Sequence, residues 1–229
     1  MKNLLITLLS VPIILWGSIG QVAALKGEAT VHRSGKNILL KNGADILKKD
    51  RVTTAKNSRV QILLKDRTII TIGEKSDYVF NDYVFGKNRA KADMQARHGF
   101  FRIITGKISK IAPQRFMVKT KSATIGIRGT HFYGIVGDEY EQIGCLGGMI
   151  SVKTPDRLFL LEAGKMVVWQ NGNWKAMSIK AGGRGKKMLS PASDFDPHND
   201  IMRDIFNDDP DAFGNVLNGE PDEPGEYGE

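Results

Sequence analysis

Two neighbouring runs alternate their side chains with a strict period of two, and nothing else in the chain limits the possible folds so much. Arg59-Val60-Gln61-Ile62-Leu63-Leu64-Lys65 sets Val60, Ile62 and Leu64 on one side and Arg59, Gln61 and Lys65 on the other. Successive side chains of a strand point to opposite faces, so this is the pattern of a half-buried strand. Arg67 to Ile72 repeats it with Thr68, Ile70 and Ile72, and Lys65-Asp66 between them is expected to be a tight turn closing a hairpin. Further short β-rich runs follow at Phe100 to Thr105, Phe116 to Thr120, His131 to Val136, Met149 to Val152, Leu158 to Leu161 and Lys165 to Trp169. Most are bounded by Gly, Asp, Asn or Pro. No long amphipathic helical run separates them, which argues against alternating βαβ units and for a mainly β domain, a roll or sandwich of many short strands. Arg89 to Arg97 departs from this: it holds good helix formers with a weak apolar stripe, and is expected to be a loop or one short exposed helix.

The two ends of the 229-residue chain read differently from its body. Met1-Lys2-Asn3 is followed by an apolar run from Leu4 to Trp16 and then by Val22-Ala23-Ala24. A basic start, an apolar stretch too short to span a bilayer and small residues after it are the parts of a secretory signal peptide. Residues 1–24 are therefore expected to be a signal helix removed after Ala24, which places the protein in the periplasm or outside the cell. Membrane contact is expected only through this segment, if it is not cleaved. A domain over 25–180, a basic linker over 181–192 and an acidic tail over 193–229 complete the expected layout. The tail is expected to be partly disordered, with a short helix over 199–206.

Charge follows the same division. The whole chain has 33 basic and 25 acidic residues, a net charge of +8. From Ser193 to Glu229 there are twelve acids against one base, Arg203, so the remainder is a strongly basic body. In an exported protein such a body is not expected to meet nucleic acid; an anionic envelope glycan such as peptidoglycan or lipopolysaccharide, an acidic protein, or the chain's own tail would match it.

The order of short motifs is more specific than any one of them. Gly43-x-x-Ile46 leads through Asp50-x-Val52-x-Thr54 to Ser58-x-Val60-x-Ile62-x-Leu64-x-Asp66 and Ile70-x-Ile72-Gly73. Later come Gly106-Lys107, Phe116-x-Val118-x-Thr120, Ala123-x-Ile125-Gly126-Ile127-Arg128-Gly129-Thr130-x-Phe132, Gly148-x-Ile150-Ser151-Val152 and Leu161-x-Ala163-Gly164-Lys165. This series resembles the FecR-type domain of bacterial envelope proteins from about Leu25 to Trp169, with Arg-Gly-Thr its most telling piece. The resemblance implies an extracytoplasmic β domain that receives or passes a signal through contacts with an envelope protein. The family usually carries glycine where this chain has Lys49 and Arg67. Side chains are strained in turns that need positive φ, so turns of another type are expected here.

The motif residues are expected to hold the fold. Arg128 lies among apolar strand positions, where a guanidinium inside the protein needs a carboxylate, and a pair with Asp50 or Asp66 is expected to cross-link distant strands. Gly126 and Gly129 would allow bends or close strand approach, Gly148 and Gly164 belong to the same pattern, and Thr54, Ser58 and Thr130 read as turn and edge hydroxyls. No catalytic constellation assembles. His32, His98, His131 and His198 are scattered, and the single cysteine, Cys145, sits in a strand-like run where a buried, inert thiol is expected. Ala181 to Lys187 lacks a full phosphate-loop pattern. The acidic runs at Asp194 to Asp200 and Asn207 to Asp211 lack the glycine and glutamate of a calcium loop. No enzyme activity, metal or cofactor is expected.

Overall fold

A computed structural model describes residues 17–179, and all of them lie in one compact unit that ends at Ala181. The expected signal helix, basic linker, acidic tail and 199–206 helix lie largely or wholly outside these residues. Fifteen strands follow in order: β1 (Ser18–Lys26), β2 (Ala29–Arg33), β3 (Lys36–Leu39), β4 (Asp45–Leu47), β5 (Arg51–Thr54), β6 (Arg59–Leu64), β7 (Ile69–Ile72), β8 (Asp77–Gly86), β9 (Arg89–Ile104), β10 (Phe116–Lys119), β11 (Thr124–Val136), β12 (Tyr140–Lys153), β13 (Leu158–Glu162), β14 (Lys165–Gln170) and β15 (Asn173–Ser178). Between β9 and β10 lie one helical turn, α1 (Ile108–Ile111), and a 3-10 turn (Pro113–Arg115). The fold is mainly β, as the alternation requires.

The strands are joined in one hydrogen-bonded sheet that divides into two rows. The first runs β3-β2-β5-β8-β9-β10-β11-β12-β13 and the second β4-β1-β6-β7-β9-β11-β12-β14-β15. Every pairing is antiparallel except that of β9 with β10. Three long strands belong to both rows. β9 pairs with β8 through residues 89–98 and with β7 through 101–104. β11 pairs with β10 through 124–126 and with β9 through 131–136. β12 gives residues 140–145 to β14 and 149–153 to β13.

One cluster of buried apolar side chains fills the inside, drawn from both rows. Tyr78 of β8 meets Phe101 of β9 with ring centroids 5.9 Å apart, and Phe101 stands edge-on to Phe132 of β11 at 6.2 Å. Burying such rings contributes about 2 to 3 kcal/mol each. In the predicted hairpin, Val60 faces Ile72 and Ile62 faces Ile70, and all four are fully buried.

Two expectations change here. Arg89 to Arg97 is no loop but the first half of β9, where Ala90, Ala92, Met94 and Ala96 are buried at alternate positions. Alanine counts as a helix former, but here its small size lets β9 lie between β8 and β10 over a crowded core. The hairpin turn is longer than Lys65-Asp66: the Leu64 amide donates to the Thr68 carbonyl at 2.8 Å, the Arg67 amide to the Leu64 carbonyl at 2.9 Å, and β7 begins at Ile69. The expected cut after Ala24 falls within β1. This strand is paired on one side with β4 and on the other with β6, and buries Ile19 and Val22. Cleavage there would remove both from the core, while Ala23 and Ala24, which suited a peptidase pocket, lie exposed at a register shift of the strand.

Candidate functional site

The motif carboxylates act on turns. Asp50 is fully buried at the end of the turn after β4. Its Oδ1 accepts from Arg33 Nε at 2.8 Å, and its Oδ2 accepts from Arg33 Nη2 at 2.6 Å and from the Leu47 amide at 2.7 Å. Hydrogen bonding to the Asp50 carboxylate is the main reason the Arg33 guanidinium holds its proton above its usual range. A two-pronged guanidinium thus ties β2 to the turn.

Asp66 is also fully buried, but no cation pairs with it among the described residues. Its Oδ1 accepts from the Tyr83 hydroxyl at 2.9 Å and the Thr68 amide at 3.2 Å. Its Oδ2 accepts from the Thr68 hydroxyl at 2.8 Å and the Ile108 amide at 3.1 Å. Burial, and then the neighbouring carboxylate, push the Tyr83 phenol up, so its hydroxyl remains a donor. Four neutral donors thereby join the β6–β7 turn, β8 and the start of α1.

A third buried carboxylate, Glu141 of β12, does the same for the turn after β10, accepting from the Thr120 hydroxyl at 2.6 Å and the Ser122 amide at 2.9 Å. Sequence reasoning missed it because it follows Asp138 and Glu139 and reads as part of an acidic surface turn. The signal was its phase: Glu141 shares a parity with the buried Ile143 and Cys145.

Arg128 joins neither aspartate. It is exposed, opposite Met149, and makes no ion pair among the described residues. Ordinary alternation explains this: Ile125 and Ile127 are buried, so the next side chain, Arg128, faces out, and the register shifts begin only after it. Arg-Gly-Thr marks the place where β11 passes from the first row to the second. Gly129 has φ +60° and Gly148 opposite has φ +73°; a Cβ on Gly148 would come within 2.1 Å of the Gly129 carbonyl oxygen. No side chain fits at Gly148, while at Gly129 the space is open and the left-handed φ alone favours glycine. The Thr130 amide donates to the Thr105 hydroxyl at 2.8 Å, and that hydroxyl donates to the Thr130 carbonyl at 3.0 Å.

The other motif positions are equally local. Thr54 donates to the Gly73 carbonyl at 2.5 Å and accepts from the Ser76 amide at 2.9 Å. Ser58 accepts from the Glu28 amide at 2.9 Å. Gly126 lies against Ser151, and Gly164 turns the chain from β13 to β14. Lys49 and Arg67 both have φ of +70°, which overturns the expected change of turn type. The turns keep the left-handed geometry that favours glycine and hold a long basic residue in it. The surrounding hydrogen bonds of Asp50 and Asp66 over-determine that geometry.

The histidines remain apart. His131 accepts from Arg102 Nε at 2.6 Å, and burial, followed by the arginine charge, lowers its pKa to about 4. His32 bridges Asn37 and Thr53. Cys145 is fully buried, and burial pushes its thiol up.

Four of the six exposed large apolar side chains among the described residues lie at the ends of the first row, Ile38 and Leu39 on β3 and Leu158 and Leu160 on β13; the others are Ile111 on α1 and Met177 on β15. The two leucines of β13 are 62% and 66% exposed, beside a strand paired on one side only.

A family model described as FecR protein matches residues 50–151, an interval that opens on Asp50 and closes on Ser151 opposite Gly126. Over that interval, a little under half of the chain, the sequence is similar to a FecR domain. Two crystal structures of a "putative anti-sigma factor" from Parabacteroides distasonis ATCC 8503, at 1.65 and 2.50 Å resolution, are similar at 15% identity with TM-scores of 0.47 and 0.48. The alignment covers 56% of this chain and 59% of that one, so this chain spans less than two thirds of its length. No curated protein matches the chain.

Proposed function

We propose that the chain is an exported, non-catalytic FecR-domain module of the cell envelope that receives or passes a signal by binding another protein. The observation that supports this reading best is the pair of apolar ends of the first row, where Ile38, Leu39, Leu158 and Leu160 stand in solvent. Exposed apolar patches at strand ends suit protein contacts, whereas the buried titratable groups are occupied in fastening turns. The test uses the full chain as bait on an envelope fraction, with capture repeated at about 1 M salt. A contact with an apolar centre survives that salt. Export is tested alongside, by fractionation and N-terminal sequencing. The processed chain is expected to start at or before Ser18, since a start at Leu25 would split β1. A chain retained in the cytoplasm would overturn the reading.

Binding of an anionic glycan is the second reading. Exposed Lys65 and Arg67 at an open depression of about 400 Å³, also lined by Ser18, Gln21 and Asp45, favour it. Capture of peptidoglycan or lipopolysaccharide that disappears at high salt would select it over the first.

A further inference from the structure

We infer that β13 is a self-pairing edge, through which two copies of this chain join their first rows into one sheet. A sheet edge presents unpaired N–H and C=O groups, and proteins ordinarily guard it with a short strand, a bulge, proline or charges. Each row leaves two edges free among the described residues. β4 has three residues. β15 exposes one large apolar residue, Met177, and guards it with Asn173, Lys175 and Ser178 along the same strand. On β3 the exposed Ile38 and Leu39 are consecutive and point to opposite faces. β13 alone has five residues, four of them apolar, with Leu158 and Leu160 on the outer face and Phe159 and Leu161 turned inward.

The occupant follows from the pattern of the strand itself. An antiparallel copy centred on Leu160 puts that leucine opposite its own counterpart and Phe159 opposite Leu161. Inner residues then meet inner residues and outer residues meet outer ones, the condition for a sheet to continue without reversing its faces. The same register sets Leu158 of each copy opposite the other's Glu162, both on the outer face. Such a contact is isologous, so it closes as a dimer and does not run on into fibres. Five paired residues bury less than the ~1,000 Å² of a stable interface, so the dimer is weak and set by protein concentration. This inference draws on the same exposed β13 leucines as the envelope-partner reading, but its test uses the purified chain alone, so the failure of one is distinguishable from the failure of the other.

The register can be read by cross-linking the full chain with Leu160→Cys or Leu158→Cys. Opposed residues of an antiparallel pair lie ~4.5 to 5.5 Å apart between Cα atoms, within the span of a disulfide, whereas positions four residues out of register are ~13 Å apart. The natural thiol, Cys145, is buried and gives no background. Leu160→Cys should therefore form a covalent dimer at least tenfold faster than Leu158→Cys. Equal rates, or no dimer from either, would overturn the inference. A second arm covers the chance that a cysteine alters the edge. Leu160→Lys and Leu160→Glu should each weaken self-association at least tenfold in sedimentation, and an equimolar mixture should restore it. A mixture that stays as monomeric as its parts would also refute the pairing. Both changes are at a surface residue, so unchanged thermal unfolding of each variant is the folding control.

Discussion

Asp50 and Asp66 occupy the same kind of place and are stabilised by opposite means. Each carboxylate is fully buried in a turn, next to a basic residue with φ of +70°. Asp50 is neutralised by Arg33, whose side chain is 27% exposed. Asp66 receives four hydrogen bonds from uncharged groups. A buried charge needs either an opposite charge or enough oriented dipoles, and this domain uses one solution in each turn. The difference matters because the arginine can swing into water if its partner is lost, whereas Tyr83, Thr68 and the Ile108 amide cannot leave.

The sharpest way to break the comparison is Asp66→Ala. It strands four buried donors, and at ~1 to 3 kcal/mol for each one left unsatisfied, with some recovered by water, the expected loss is about 4 kcal/mol in urea unfolding. Asp50→Ala should cost less, because Arg33 reaches solvent; equal losses would show that the two turns are not distinguished by their donors. Next in size is Arg33→Ala, which leaves the Asp50 carboxylate buried with only the Leu47 amide. Removing one partner of such a pair costs about 3 kcal/mol, the low end for buried pairs because the arginine is partly wet. No corresponding single cation exists to delete at Asp66 among the described residues.

A pH titration gives a further measurement. His131 is held neutral in the folded protein, with a pKa lowered from 6.5 to about 4. The unfolded chain therefore takes up this proton first as pH falls. The stabilisation is whole above pH 6.5, is lost progressively down to about pH 4 and changes no further below. His131→Gln should flatten that part of the stability profile, and an unchanged slope would assign it to other groups.

The smallest effects are gains. Lys49→Gly and Arg67→Gly relieve left-handed strain of ~1 to 2 kcal/mol, offset by the greater freedom glycine gives the unfolded chain, for a net gain of about 0.5 to 1 kcal/mol each. Thermal unfolding of the two variants checks this. A loss at either position would mean that the basic side chain makes contacts that outweigh its backbone cost.

The strands with large alternating residues were legible because Val60, Ile62, Ile70 and Ile72 mark a face unmistakably. β9 was not, because Ala90, Ala92 and Ala96 carry too little apolar surface to outweigh their helical propensity, although their spacing was that of a strand. Asp50, Asp66 and the Arg-Gly-Thr segment were legible as a pattern, but their partners were not. Arg33 lies 17 residues from Asp50, and nothing local marks it as the ligand of that carboxylate. The misplaced Arg128 has another origin, since its outward facing follows from strict alternation after the buried Ile125 and Ile127 and only the expectation of a charge pair obscured it. Glu141 shows the converse: its phase was visible, and only its charge concealed it.

The passage of β9, β11 and β12 through both rows also governs how the molecule can come apart. A tear that begins at a rim, along β3, β4 or β15, can peel strands away one at a time. A tear along the boundary between the rows meets uninterrupted main chain three times and cannot proceed by rupture of weak bonds alone. Digestion by a protease should therefore nibble inward from the rims, and no stable half-molecule should accumulate.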